Sequence, residues 1–213
     1  ALPLDEETPP AERAAALAEM EGLLLSGGAD LDPARYGQAP AGAREVESGR
    51  DELEWQVWQV ARRRGVPVLG ICRGFQAVNV FMGGRLVQHV EGHAGAAYGA
   101  GVPLRHPLRL AAGSRMARIL RPTDPVGAVL SVNSYHHQAV RRETLAPGLV
   151  ACGMSPHREG DLVEAVESAE PDSFVLAVQC HPERTESTPP EFERLFRVFV
   201  DAARGSIVGR RVG

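Results

Sequence analysis

The sequence predicts an α/β protein, a three-layer α/β/α sandwich with a mostly parallel central sheet. Three observations carry that expectation. Short apolar runs bounded by glycine, "GLLLSGG" and "VPVLGI", read as buried strands. Helical segments precede and follow them, so strand, turn and helix recur in βαβ order. The chain has 213 residues, enough for one well-buried domain, and contains no internal repeat, low-complexity segment or dividing linker. Residues 1–205 are therefore expected to form a single domain, with 206–213 as a C-terminal tail.

Thr8, Pro9, Pro10 and Glu12 mark a helix start, because proline suits a first turn whose N–H groups lack partners; the helix should reach about Met20, with Gly22 ending it. "GLLLSGG" follows as a strand whose closing glycines can leave backbone N–H groups accessible. "ADLDPARYGQAPAGAREVE" has no clear period and reads as a surface loop. Ser48 caps a helix with Asp51 and Glu52 in its first turn, Arg62, Arg63 and Arg64 in its last and Gly65 beyond, charges that suit the helix dipole. "VPVLGI" is the next strand, and "GFQAVNVFM" a helix stopped by Gly83 and Gly84. Further strands are expected at "HPLRLA", "VGAVLSV", "LVACGM", "LVEAVE" and "FVLAVQ". Thr188 to Glu191 reads as a capping box for a last helix with Phe192, Leu195, Phe196, Phe199 and Val200 on one face.

A net charge of -4 and a pI near 6.0 lack the basic footprint of a nucleic-acid-binding protein. No apolar run approaches the roughly 20 residues of a membrane helix, and no signal segment is read at the start, so no membrane partner and a cytoplasmic location are expected. Cys72, Cys152 and Cys180 are too few and too irregularly spaced for a disulfide framework, and no CxxC pair suggests zinc.

Gly70-Ile71-Cys72-Arg73-Gly74 has the G-x-nucleophile-x-G spacing of a nucleophile elbow with cysteine in place of serine. Small residues permit a strained strand-to-helix turn that lifts the thiol out of the sheet, and the helix N-terminus lowers its pKa and offers an N–H to an oxyanion. Taken alone, Cys72 is equally a small buried core residue. In "FVLAVQCHPERTE", His181 and Glu183 lie two residues apart with Pro182 between them, so an extended segment would project both to one side as base and orienting carboxylate. Read alone, this pair is more simply a solvent-facing loop. His136 and His137 are adjacent and, by spacing, resemble one core-facing and one solvent-facing strand residue, without a companion at metal-ligand spacing. The Arg73 side chain either makes the turn electropositive or pairs with a nearby carboxylate.

Together "GICRGFQ" and "VQCHPE" resemble the class I glutamine amidotransferase fold, flavodoxin-like in architecture. Within it, "GLLLSGGADLDPARYG", the arginine of "CRG" and "VNSYHHQAV" resemble the γ-glutamyl-γ-aminobutyrate hydrolase type of γ-glutamyl hydrolase, over about Leu2 to Ala203. The resemblance implies a Cys72, His181, Glu183 triad, with backbone N–H groups of Gly28 and Arg73 as the oxyanion hole. It implies that Gln76 and the loop holding Asn133, Ser134, His136 and His137 help to hold the γ-glutamyl group. It further implies no metal or organic cofactor, a small-molecule γ-glutamyl substrate and a homodimer. Two departures stand out: Cys180 replaces the usual aromatic residue before the histidine, and the usual first strand, helix and strand are not seen upstream of "LPLDEETPP", so preceding sequence is expected. A glutaminase subunit feeding ammonia to a synthetase and a catalytically silent binding module are the competing expectations.

Overall fold

The computed structural model describes residues 2–94, 103–121 and 129–210, without the side chains of 206–210. Its first helix, α1 (Pro10–Glu19), begins after Pro9, one residue beyond the expected Thr8. Strand β1 (Leu23–Leu25) follows, and the expected loop holds one 3₁₀ turn over Pro33–Tyr36. Helix α2 (Ser48–Arg64) ends on Gly65, whose φ of 60° and N–H bonds to the carbonyls of Ala61 and Arg62 make it a left-handed cap. Strand β2 (Val68–Ile71) leads directly into α3 (Arg73–Phe81).

All five strands expected in the second half form: β3 (Leu104–Leu110), β4 (Val129–Ser134), β5 (Leu149–Ser155), β6 (Leu162–Ser168) and β7 (Val175–Val178). A short helix not expected from the sequence, α4 (Arg115–Leu120), stands between β3 and β4, capped by Ser114, whose side chain accepts from the N–H of Ala117. The last helix, α5 (Glu193–Arg210), starts after a 3₁₀ turn at Pro190–Phe192. The expected capping box does not form. The Thr188 hydroxyl instead donates to the carbonyls of Pro182 and Arg184, holding the turn after His181. Val200 is exposed, so the buried stripe of α5 is narrower than predicted. The tail expected from 206 continues as helix to Arg210.

The strand order is β1-β2-β7-β6-β5-β3-β4. Only β1, β2 and β7 run parallel; every other neighbouring pair is antiparallel, so the sheet is mixed where a mostly parallel one was expected. The connections account for two of these pairs, β5–β6 and β6–β7. Residues 156–161 and 169–174 are too short for the crossover that parallel neighbours need, and suffice for antiparallel returns.

The α/β class and three layers hold. Alternate residues of β2 serve two cores: Val68 packs with Val57, Trp58 and Phe75 of α2 and α3, while Leu69 and Ile71 pack with Met116, Leu120, Leu195 and Phe199 of α4 and α5. Gly70 faces α3 so closely that a Cβ would sit 2.6 Å from the Gly74 carbonyl oxygen, and one on Gly74 would lie 2.0 Å from that of Leu25. These two glycines let α3 start against the ends of β1 and β2, which fixes the place of Cys72 between them.

Candidate active site

Cys72 occupies the turn between β2 and α3 with φ 51° and ψ -104°. That conformation favours glycine and costs another residue about 1–3 kcal/mol, so the strain expected of an elbow is present. The Cys72 N–H donates to the Val178 carbonyl at 2.9 Å, tying the elbow to β7. Arg73 is the first residue of α3, where an N–H has no intrahelical acceptor and the helix dipole is positive.

His181 stands just past β7. Its Nδ1 lies 2.7 Å from Glu183 Oε1, and its ring is hydrogen-bonded to Cys72. Burial by itself would lower the imidazole pKa; the bonds and charges of Cys72 and Glu183 outweigh it and raise the pKa to about 9. Thiol, imidazole and carboxylate are thus brought together in the expected order. The route differs from the expected extended segment: residues 182–183 form a turn, closed by the Arg184 N–H donating to the His181 carbonyl at 3.2 Å.

The neighbouring loop is shaped around the imidazole. A Cβ at Gly27 would come within 2.7 Å of His181 Cε1. Arg50 of α2 holds this loop, donating to the Gly27 carbonyl at 2.8 Å and to Glu54 Oε1 at 2.9 Å. Glu54 also pairs with Arg73, whose guanidinium takes Asp51 as a second partner and is 1% exposed. Of the two readings of the Arg73 side chain, pairing is the one realised. The chain Gly27–Arg50–Glu54–Arg73 ties together the two segments expected to supply oxyanion N–H groups.

A cleft of about 280 Å³ opens over Cys72, lined among others by Gly28, Asp30, Arg73, Gln76 and Tyr135. His136 and His137 also reach its wall. A larger cleft of about 450 Å³, bordered by Gly83, Arg85 and Thr144, includes none of the triad residues.

The residues expected around the substrate separate. Asn133 is fully buried and is committed to His181, accepting from its N–H at 2.8 Å and donating to its carbonyl at 3.0 Å and to Ser187 Oγ at 2.8 Å. Ser134 donates to the His93 carbonyl at 2.7 Å. Both side chains are engaged within the protein: Asn133 positions the backbone of His181, and Ser134 that of His93. Gln76 lines the cleft, but its amide donates to the Gln138 carbonyl and to Gln179 Oε1. His136 donates from Nδ1 to the Gln138 carbonyl at 2.9 Å, and His137 Nε2 lies 3.0 Å from Asp30 Oδ2.

Three further residues take part. Gln179, fully buried, directs its amide N–H to Cys72 Sγ at 3.5 Å. Its signal was a polar residue closing an apolar strand immediately before "CHPE". Tyr135 meets the His181 ring edge-on at 5.5 Å, and Arg50 acts as above; neither had a distinguishing spacing. Cys180 is buried in the apolar core and absent from the cleft lining; burial raises its thiol pKa well above the ordinary value.

An α/β sandwich carrying this corner has the fold of glutamine amidotransferases: the glutaminase domain of Trypanosoma brucei CTPS with bound acivicin superposes with a TM-score of 0.63 at 22% identity, over 96% of this chain and 80% of that one. Residues 1–183 match the Peptidase C26 family, and the chain belongs to it. It is 42% identical to a Mycobacterium tuberculosis protein with the provisional name glutamine amidotransferase Rv2859c, over 89% of this chain and 58% of that relative's length. The γ-glutamyl-γ-aminobutyrate hydrolase PuuD of Escherichia coli is 28% identical, over 92% of this chain and 76% of its own.

Proposed function

We propose that the protein is a cysteine hydrolase that cleaves γ-glutamyl amides to glutamate and an amine through a γ-glutamyl thioester. The observation that carries the reading is Cys72 on a strained elbow, hydrogen-bonded to an imidazole that Glu183 holds at 2.7 Å. Raised to about 9, His181 is an imidazolium at neutral pH, the partner a thiolate needs.

In this reading the Cys72 sulfur attacks the side-chain amide carbon, and the C=O electron pair moves to oxygen, met by the N–H groups of Gly28 and Arg73. His181 gives its proton to the nitrogen as the C–N bond breaks, and the amine leaves. A water then attacks the thioester, passing a proton to His181; the C–S bond breaks, releasing glutamate and thiolate. The cleft carries both signs of charge, Asp30 and Glu45 beside Arg44, which suits the ammonium and carboxylate on the α-carbon of a γ-glutamyl group.

The second reading, a glutaminase delivering ammonia to a synthetase, is favoured by the amidotransferase name of the Mycobacterium relative. One experiment separates them: glutamate release from γ-glutamyl-γ-aminobutyrate, other γ-glutamyl amines and glutamine, by the protein and its Cys72→Ala variant. The hydrolase requires release that prefers a substituted amine and falls at least about 10⁴-fold without the thiol. Turnover of glutamine alone selects the glutaminase, and no release from folded protein overturns the free-standing hydrolase.

A further inference from the structure

Sharing His136 with the wall of the thiol cleft is a second grouping of titratable side chains that the proposed reaction does not use. His93 follows α3, His106 lies on β3, His136 follows β4 and Glu164 lies on β6. One donor atom from each falls within 4.8 Å of the others. Glu164 Oε2 is 3.6 Å from His106 Nε2, and Glu164 Oε1 is 3.7 Å from His136 Nε2. These separations are too long for hydrogen bonds. They are close to the spacing of two donors on one tetrahedral zinc ion, about 3.3 Å for metal–ligand bonds of about 2.0–2.1 Å.

The four facing atoms, His106 Nε2, His136 Nε2 and both oxygens of Glu164, are buried without a hydrogen-bond partner. The Glu164 and His136 side chains are only 1% and 2% exposed. Four orphaned polar atoms aimed into one space are an unusual concentration, because each normally finds a partner on folding. Around them the outer contacts are set as ligands need. His136 Nδ1 donates to the Gln138 carbonyl at 2.9 Å, which leaves Nε2 with its lone pair toward Glu164. Ser134 holds the His93 backbone.

We infer that His93, His106, His136 and Glu164 form a binding site for one divalent transition-metal ion, with three nitrogens and one carboxylate oxygen suited to zinc. Four protein donors fill a tetrahedral shell, so the ion is structural, joining β3, β6 and the segments after α3 and β4. This departs from the sequence reading, which expected no metal. The four ligands are scattered between positions 93 and 164 and form no spacing motif.

The test is titration of chelator-dialysed, full-length protein with zinc chloride, followed calorimetrically, and with cobalt chloride, followed by its visible spectrum. It is run on the wild type, Glu164→Gln, His106→Gln and Cys72→Ala, with circular dichroism confirming that each is folded. Expected are one tightly bound ion per chain, a tetrahedral cobalt spectrum without a sulfur charge-transfer band, and retention of both in Cys72→Ala. Each ligand substitution should weaken binding by more than about 100-fold, since loss of an outer-shell partner alone costs about 10–100-fold. Absence of stoichiometric binding by folded wild type overturns the inference. So does an ion that persists in folded Glu164→Gln and His106→Gln, or one lost with the Cys72 thiol.

Discussion

Residues 133–136 serve two carboxylate–imidazole groupings that respond to burial in opposite ways. Asn133 holds the backbone of His181, whereas Ser134 and His136 belong to the cluster around Glu164. Burial opposes the charge of every imidazole in both places. In the His181 corner, the 2.7 Å bond to Glu183, whose side chain is 39% exposed, and the bond to Cys72 overcome burial. In the cluster, Glu164 is 1% exposed, burial raises its own pKa to about 8, and no bond forms at 3.6–3.7 Å. A carboxylate beside a histidine therefore does not by itself make an imidazolium: the carboxylate must stay hydrated enough to remain charged, and must reach hydrogen-bond distance.

Breaking the shared wall should have the largest effect. Asn133→Ala orphans the buried His181 N–H, at roughly 1–3 kcal/mol, and removes the amide bonds to Ser187 Oγ and to the His181 carbonyl, which keeps the Arg184 N–H, so denaturant titration should show a loss of about 3 kcal/mol. Gln179 also touches both groupings, donating its side chain to Cys72 Sγ while its backbone N–H bonds the Glu164 carbonyl at 2.8 Å. Gln179→Leu keeps the backbone bond and removes the donor to sulfur together with the Oε1 acceptor of the Gln76 amide, which retains its bond to the Gln138 carbonyl. A bond to a charged acceptor is worth about 1.5–3 kcal/mol, so kcat/KM should fall about 10–100-fold.

A smaller change would make the His181 corner resemble the cluster electrostatically. Because the folded pKa of His181 is raised from 6.5 to about 9, its contribution to stability is complete below about pH 6.5 and is lost as pH rises through 9. Glu183→Gln should move the alkaline limb of the rate profile down from near pH 9 toward 6.5, lowering the rate about 10-fold at pH 8, and should flatten the fall of Tm over the same window. Smallest is the backbone strain at the thiol, which none of the four cluster residues shares. Cys72→Gly should be about 1 kcal/mol more stable than Cys72→Ala by denaturant midpoint, because only glycine accepts φ 51° without cost.

The thiol corner was legible because its parts are local: the paired glycines around Cys72, and His181 with Glu183 one residue removed, lie within short stretches whose geometry the backbone dictates. Strands and major helices were legible for the same reason, since alternating burial and Gly65-type caps are written within single elements. The capping box at Thr188 failed because its hydroxyl found closer acceptors at Pro182 and Arg184, a tertiary alternative with the same donor chemistry. Nothing in "VNSYHHQAV" reveals that the Asn133 amide meets the backbone of residue 181.

The sequence by itself determined the α/β class, the strand-to-helix elbow and the order of thiol, imidazole and carboxylate along the chain. Each depends on interactions between residues close in sequence, or on turns that only glycine permits. The tertiary structure alone decided the mixed sheet, the pairing of Arg73 with Asp51 and Glu54, and the approach of Gln179 to the sulfur. It also gathered His93, His106, His136 and Glu164 into one buried space. The physical reason is common to all four: the partners come from separate elements, and only packing of the sheet against its helices sets which polar groups are paired and which are left facing one another.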